Sequence, residues 1–108
     1  MSTPYTPETT DRAAVDRLPG ATVVEFGTNW CGFCQRAEPL IDEAFEGHAD
    51  VKRIRVEDGS GRALGRTFRV RLWPTLVFMR DGKELARVVR PNTADEISRA
   101  LGQIAAPA

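Results

Sequence analysis

The sequence predicts an α/β fold, a single three-layer domain whose mixed central β-sheet is flanked by helices on both faces. Helix-like and strand-like periodicities alternate along the 108 residues. The first two strand-like runs are separated by a helix-length segment, a unit that needs a right-handed crossover and favours parallel pairing. The last two are joined by Asp81-Gly82, the strongest short hairpin signal in the chain, and must pair antiparallel.

Each element has its own local warrant. Thr6-Pro7-Glu8 has the form of a helix start, with proline at the first helical position, and Ala13, Ala14, Val15 and Leu18 continue a short helix that Pro19-Gly20 stops. Residues 21 to 27, ATVVEFG, form an apolar run rich in β-branched residues, as a buried strand requires, interrupted by the charge of Glu25. From Cys31 onward, Ala37, Leu40, Ile41, Ala44, Phe45 and His48 share one helical face. Pro39 lies inside that helix, where it removes a backbone hydrogen bond and predicts a kink. A strand follows at 51 to 57, then a Gly-Ser-Gly break and a short helix around Arg62 to Phe68. The hairpin strands lie within 71 to 89, and Thr93 with Glu96 forms a capping box ahead of Ile97, Leu101 and Ile104. The whole chain, 1–108, is expected to form one domain, with residues 1–7 and 106–108 flexible.

Bulk properties exclude several function classes. Lys+Arg and Asp+Glu both number 15, so the formal net charge is zero and no basic excess draws the chain to nucleic acid or anionic lipid. No apolar run approaches the roughly 18 residues that cross a bilayer. The first twenty residues are studded with charge and lack the apolar centre of a secretory signal, so a cytoplasmic location is expected. Nothing in the sequence demands more than a monomer.

Both cysteines fall in FGTNWCGFCQRAEP, residues 26 to 39, as Cys31 and Cys34 separated by Gly32 and Phe33. A C-x-x-C pair is a redox couple, half of a metal site, or a pair of small core residues. If a helix begins at Cys31, Cys34 lies about one turn along it, close enough for a disulfide. The two sulfurs are then unequal: Cys31, exposed at the helix mouth, gains thiolate stability from unpaired N–H groups and the macrodipole, while Cys34 is shielded behind it. Cys31 is thus the expected nucleophile and Cys34 the thiol that resolves a mixed disulfide. A closed zinc site wants about four ligands, and His48, several turns down the helix, does not reach the pair. Only a dimer contributing four thiolates would complete a metal centre, and no bound cofactor is implied.

VVEFGTNWCGFC, Pro39 eight residues after the first cysteine, WPT at 73 to 75 and the Asp81-Gly82 hairpin together resemble the thioredoxin family, from about residue 8 to 105. That resemblance implies the thioredoxin fold and a thiol-disulfide oxidoreductase that exchanges a Cys31-Cys34 dithiol with disulfides of client proteins, contributing to cell redox homeostasis. It implies a cis bond before Pro74, and pairing of the client strand with the backbone of Trp73. Trp30, Gly32, Phe33, Trp73, Pro74, Thr75 and Arg90 become the expected client-binding residues. Glu25 matches the family's buried acid, usually Asp, which accepts and returns the proton of the second cysteine. A carboxyl in an apolar strand should be pushed up by desolvation, as a relay at neutral pH requires. Arg53 stands where the family has a lysine facing that acid. Electrons would come from thioredoxin reductase or a low-molecular-weight thiol.

Two departures from the family pattern bear on function. Phe33 replaces the usual proline between the cysteines and restores an N–H at the helix start. This donor favours the Cys31 thiolate and a less negative potential, as in oxidases and isomerases of the superfamily. Arg90 replaces a glycine beside the disulfide and, with Phe33, Trp30 and Trp73, makes the docking surface bulkier, more aromatic and locally basic. A rival of another class is a redox-responsive adaptor or folding helper whose cysteines switch shape without turnover.

Overall fold

The computed structural model describes residues 3–105. The chain runs α1 (Arg12–Asp16), β1 (Ala21–Gly27), α2 (Gly32–Phe45), β2 (Lys52–Glu57), α3 (Ala63–Thr67), β3 (Thr75–Arg80), β4 (Lys83–Val89) and α4 (Ala94–Ile104). The sheet order is β2-β1-β3-β4, with β1 parallel to β2 and antiparallel to β3, and β3 antiparallel to β4. The mixed sheet expected from the alternation of crossover and hairpin is therefore the one observed.

Strand β1 is central and buried from Thr22 through Gly27, so it carries apolar side chains to both faces. Val23 joins Ile41, Leu76, Phe78, Ile97 and Leu101 in the core beneath α2 and α4. Val24 and Phe26 join Val15, Leu64, Phe68 and Val77 in the core beneath α1 and α3. Helix α2 continues through Pro39 and ends at Phe45, so His48 falls beyond it. The capping box of α4 is formed as read from its sequence: Thr93 Oγ1 accepts from Glu96 N at 3.3 Å, and the Glu96 carboxylate accepts from Thr93 N at 2.9 Å.

The N-terminus departs from expectation. The first helix starts at Arg12, not at Thr6-Pro7-Glu8, because Asp11 supplies the cap through Ala14 N at 2.9 Å. Thr6 instead bridges to Val56 of β2, donating to Arg55 O and accepting from Glu57 N. Glu8 serves a distant helix: its carboxylate accepts from Ala63 N and Leu64 N at 3.1 and 2.9 Å, capping α3, whose own N-cap residue Arg62 provides no such bond. Within the segment expected to be flexible, Tyr5 is buried and Thr6 is bonded to β2. Residues 1, 2 and 106–108 lie outside the described residues.

The hairpin turn shows why Asp81-Gly82 is specified. Both residues take positive φ, 49° and 81°, as the two-residue turn demands. Asp81 also accepts from and donates to the Gly20 backbone, through Oδ1 at 2.7 Å and N at 3.0 Å. A Cβ at position 82 would stand 1.9 Å from Asp16 O. Gly82→Ala therefore combines a strained φ with a backbone clash and is expected to cost about 2 kcal/mol or more, read as a lowered denaturation midpoint with unchanged slope.

Candidate active site

The site is built where β1 hands over to α2. Cys31 is the N-cap of α2 in extended conformation, and its Sγ accepts from Cys34 N at 3.4 Å, a side-chain cap in which sulfur takes the usual place of oxygen. Both thiols are free. They cluster with Tyr5, and Trp73 packs over them.

Access differs less than the helix-mouth reading implied. Cys31 is only 8% exposed and Cys34 2%, because the Trp73 side and the N-terminal segment both close on the pair. The asymmetry is chiefly electrostatic. Burial alone would raise the Cys31 thiol, but the Cys34 thiol, the N–H groups of Cys34 and Phe33, and the Arg90 charge outweigh it and hold Cys31 below its ordinary value. Burial pushes the Cys34 thiol up to about 12, reinforced by its bond and charge contact with Cys31 and opposed by the Thr28 N–H. The N–H that Phe33 supplies is thus one of the groups favouring the Cys31 thiolate.

The client-binding residues named from the sequence fall into two groups. The Trp73–Pro74 bond is cis, and Trp73 lies edge-on to Trp30 with ring centres 5.8 Å apart. Thr75, at the start of β3, is buried, and its hydroxyl donates to Leu72 O at 2.6 Å, so it shapes the turn rather than facing solvent. Arg90 retains the positive φ, 49°, that suits a glycine. Its guanidinium stacks 3.7 Å over Phe33, and its Nε donates to the Trp73 carbonyl at 2.9 Å. Beside this stack, Phe33, Arg36, Leu40, Arg90 and Pro91 line a groove of about 310 Å³. Trp30 at 72% and Phe33 at 45% are the exposed large apolar groups flanking the cysteines. Gly32 opens α2 without a side chain, and Pro39 lies further along the same helix.

Glu25 is fully buried, but its surroundings are not the apolar pocket expected of a bare carboxyl in a strand. Its Oε1 accepts from Arg53 Nε and its Oε2 from Arg55 Nε at 2.8 Å. Arg53 reaches on to Asp42 at 2.9 Å and Arg55 to Glu38 at 3.4 Å. Cys34, Glu38 and Asp42 recur at intervals of four along α2, so one stripe of the helix meets both the redox pair and the arginines.

Several contributors were not evident in the sequence. Arg55 is buried inside a strand reading KRIRVE, where alternation alone gives no reason to favour it over Arg53. Tyr5 lies against the cysteines from a segment with no strand pattern. Asn29 pins it, accepting from Tyr5 N at 2.8 Å and donating to Tyr5 O at 3.0 Å. Asp58, after β2, accepts from the Trp73 indole at 2.8 Å and donates its own N–H to Gly27 O. These are contacts between segments remote in sequence; none has a local signature. Among the described residues, no group of three or more His, Cys, Asp and Glu is placed to hold a metal ion.

Comparison with known proteins gives this geometry its family. The thioredoxin family model matches residues 6–103. The chain belongs to the thioredoxin family. Reduced thioredoxin 2 from Pseudomonas aeruginosa PAO1 is similar at 52% identity with a TM-score of 0.84, over 94% of this chain and 98% of that one. Thioredoxin-2 of Saccharomyces cerevisiae is 33% identical over 82 residues, 76% of each chain. Rice thioredoxin H2-1 is 32% identical over 76% of this chain, which spans 59% of the rice protein. The expected fold is borne out, and the class of chemistry that family and neighbours support is thiol-disulfide oxidoreduction on proteins. No helix among the described residues is long and apolar enough to cross a membrane.

The electrostatic difference between the thiols is directly measurable. Alkylation by iodoacetamide, followed by peptide mass mapping, is expected to modify Cys31 with a rate that rises to a plateau below the ordinary thiol range of about 8.5. Cys34 should label far more slowly than Cys31 across the whole pH series, because burial holds its thiol well above the ordinary range. Equal, slow labelling of both would contradict the arrangement.

Proposed function

We propose that the chain is a protein-disulfide reductase of the thioredoxin type, in which Cys31 attacks a client disulfide and Cys34 resolves the mixed disulfide. The observation that carries this reading is the unequal placement of the pair at the α2 N-terminus. The Cys31 sulfur caps the helix by accepting from Cys34 N, while Cys34 lies within the helix and buried against Tyr5. Helix-start N–H groups therefore favour charge on the first, and burial disfavours it on the second. In each cycle the dithiol gives two electrons and two protons to the client and closes to the Cys31-Cys34 disulfide. Thioredoxin reductase or a low-molecular-weight thiol then returns them. The proposed setting is cytoplasmic, and a monomer suffices for the cycle.

Trp73 and Pro74 offer the edge along which a client strand lies, with Trp30, Gly32 and Phe33 forming the apolar floor around the attacked sulfur. Arg90 holds the Trp73 carbonyl, so a client N–H that pairs there shares the oxygen with the guanidinium or displaces it. Clients with acidic residues beside the cysteine offer the released guanidinium a new partner. Thr75 and Pro39 act by shaping the strand start and the helix. Glu25, a buried carboxylate paired with Arg53 and Arg55, is the proposed proton relay for Cys34.

A second direction of electron flow is favoured by one specific observation. The Phe33 N–H helps to stabilise the Cys31 thiolate, and stabilising the reduced dithiol raises the potential toward that of oxidases and isomerases.

Insulin reduction by dithiothreitol tests turnover: the wild-type protein should accelerate it and Cys31→Ser should return the rate to background, whereas an adaptor would leave the wild-type rate at background too. Phe33→Pro is expected to make the potential more negative in glutathione buffers. Arg90→Glu should shift the ratio of rates on acidic against basic peptide disulfides about fivefold toward the basic peptide; an unchanged ratio would remove Arg90 from client selection.

A further inference from the structure

Tyr5 presents an unanswered chemical question. The residue is 5% exposed, its backbone is clasped on both sides by the Asn29 amide, and its ring lies 4.0 Å beneath the Arg55 guanidinium. Its hydroxyl makes no well-formed hydrogen bond in this dithiol state, yet it lies near enough to the Cys34 sulfur to lower that thiol and near enough to Arg55 to interact with the guanidinium. A buried hydroxyl left without a well-formed bond is destabilising, and such groups in native proteins call for a reason. What the hydroxyl faces is the Cys34 sulfur. A Cβ at Gly27 would stand 2.7 Å from Cys34 Sγ and 3.0 Å from Tyr5 Oη, so the missing side chain at position 27 leaves room for oxygen and sulfur to approach one another.

We propose that the Tyr5 hydroxyl is a hydrogen-bond donor for the second half of the exchange, closing on the Cys34 sulfur as that sulfur acquires negative charge and attacks the mixed disulfide. This rests on the reading of Cys34 as the resolving thiol. In that step the Cys34 Sγ–Cys31 Sγ bond forms and the bond from Cys31 Sγ to the client sulfur breaks. Cys34 is oxidised, the client sulfur is reduced, and the proton lost by Cys34 is taken up by the departing client thiolate. A neutral thiol offers the hydroxyl a poor acceptor; a thiolate offers a strong one, and hydrogen bonds to ionised groups are the stronger kind. The hydroxyl stays a donor through the whole neutral range, because burial, and after it the Glu25 charge, push its pKa above the ordinary phenol value despite the opposing Arg55. Glu25, with both oxygens engaged by Arg53 and Arg55, is less free to meet the sulfur at that moment.

Tyr5→Phe removes the hydroxyl and keeps the ring under Arg55. The reduced protein is mixed with excess 5,5′-dithiobis(2-nitrobenzoic acid) in a stopped-flow instrument; the first released thionitrobenzoate reports attack by Cys31 and the second reports resolution by Cys34. The expected result is a second phase about tenfold slower, an unchanged first phase, and a melting temperature equal to or above that of wild type, since a buried polar group without a well-formed bond has been removed. An unchanged second phase, or an equal slowing of both phases with a lowered melting temperature, would overturn the assignment. The two readings fail separately. Wild-type protein releasing a single equivalent would refute resolution by Cys34 itself, whereas two equivalents with indistinguishable variant kinetics refute only the role of Tyr5.

Discussion

A carboxylate fully buried in the central strand is the constraint around which much of this molecule is arranged. A buried charge is tolerated only when paired and hydrogen-bonded, and Glu25 obtains both partners from β2, Arg53 and Arg55, two residues apart and so on one face of that strand. The parallel register that sets Glu25 opposite Arg55 is thereby fixed by charge as well as by the apolar pattern; a slip of one residue would turn both arginines away. The same arginines reach α2 through Asp42 and Glu38, tying helix to sheet below the cysteines. Arg55 then extends the effect to the N-terminal segment, where its guanidinium covers the Tyr5 ring.

The inequality of the two thiols has a separate origin, at the start of α2. Both sulfurs are poorly exposed, so shielding by itself does not distinguish them. What differs is the orientation of the nearby dipoles and charges. Around Cys31 the α2 N–H groups, the Cys34 thiol and Arg90 all favour negative charge. Cys34 sits deeper, between Tyr5 and β1, where burial dominates. The aromatic and cationic surface above them, Trp30, Trp73, Phe33 and Arg90, is held together by its own contacts, an edge-on ring pair and a cation stacked on a ring.

Much of this was legible in the sequence because the deciding chemistry is local. The Asp81-Gly82 turn, the Thr93/Glu96 box, the cysteine spacing and the Trp73-Pro74-Thr75 run each carry their meaning within a few residues. The exceptions were decided by tertiary contacts. Thr6-Pro7-Glu8 has every local mark of a helix start, yet Thr6 is taken by β2 and Glu8 by the unprovided N-terminus of α3. Arg55 and Arg53 look alike in KRIRVE; both meet the buried Glu25, and only the fold buries Arg55 the more deeply of the two. Tyr5, Asn29 and Asp58 matter through neighbours more than fourteen positions away, beyond the reach of any periodicity.

Hairpin tips are the customary places to graft an epitope, split a chain or open new termini, since they usually project into water. In this protein the β3-β4 tip, exposed though Asp81 is, is a joint with the preceding chain. Asp81 is stitched to Gly20, and Gly82 rests on the carbonyl that ends α1, so the tip buttresses the entry to the central strand. Engineering of that kind belongs instead at the Gly59-Ser60-Gly61 segment, where both glycines have open space around them.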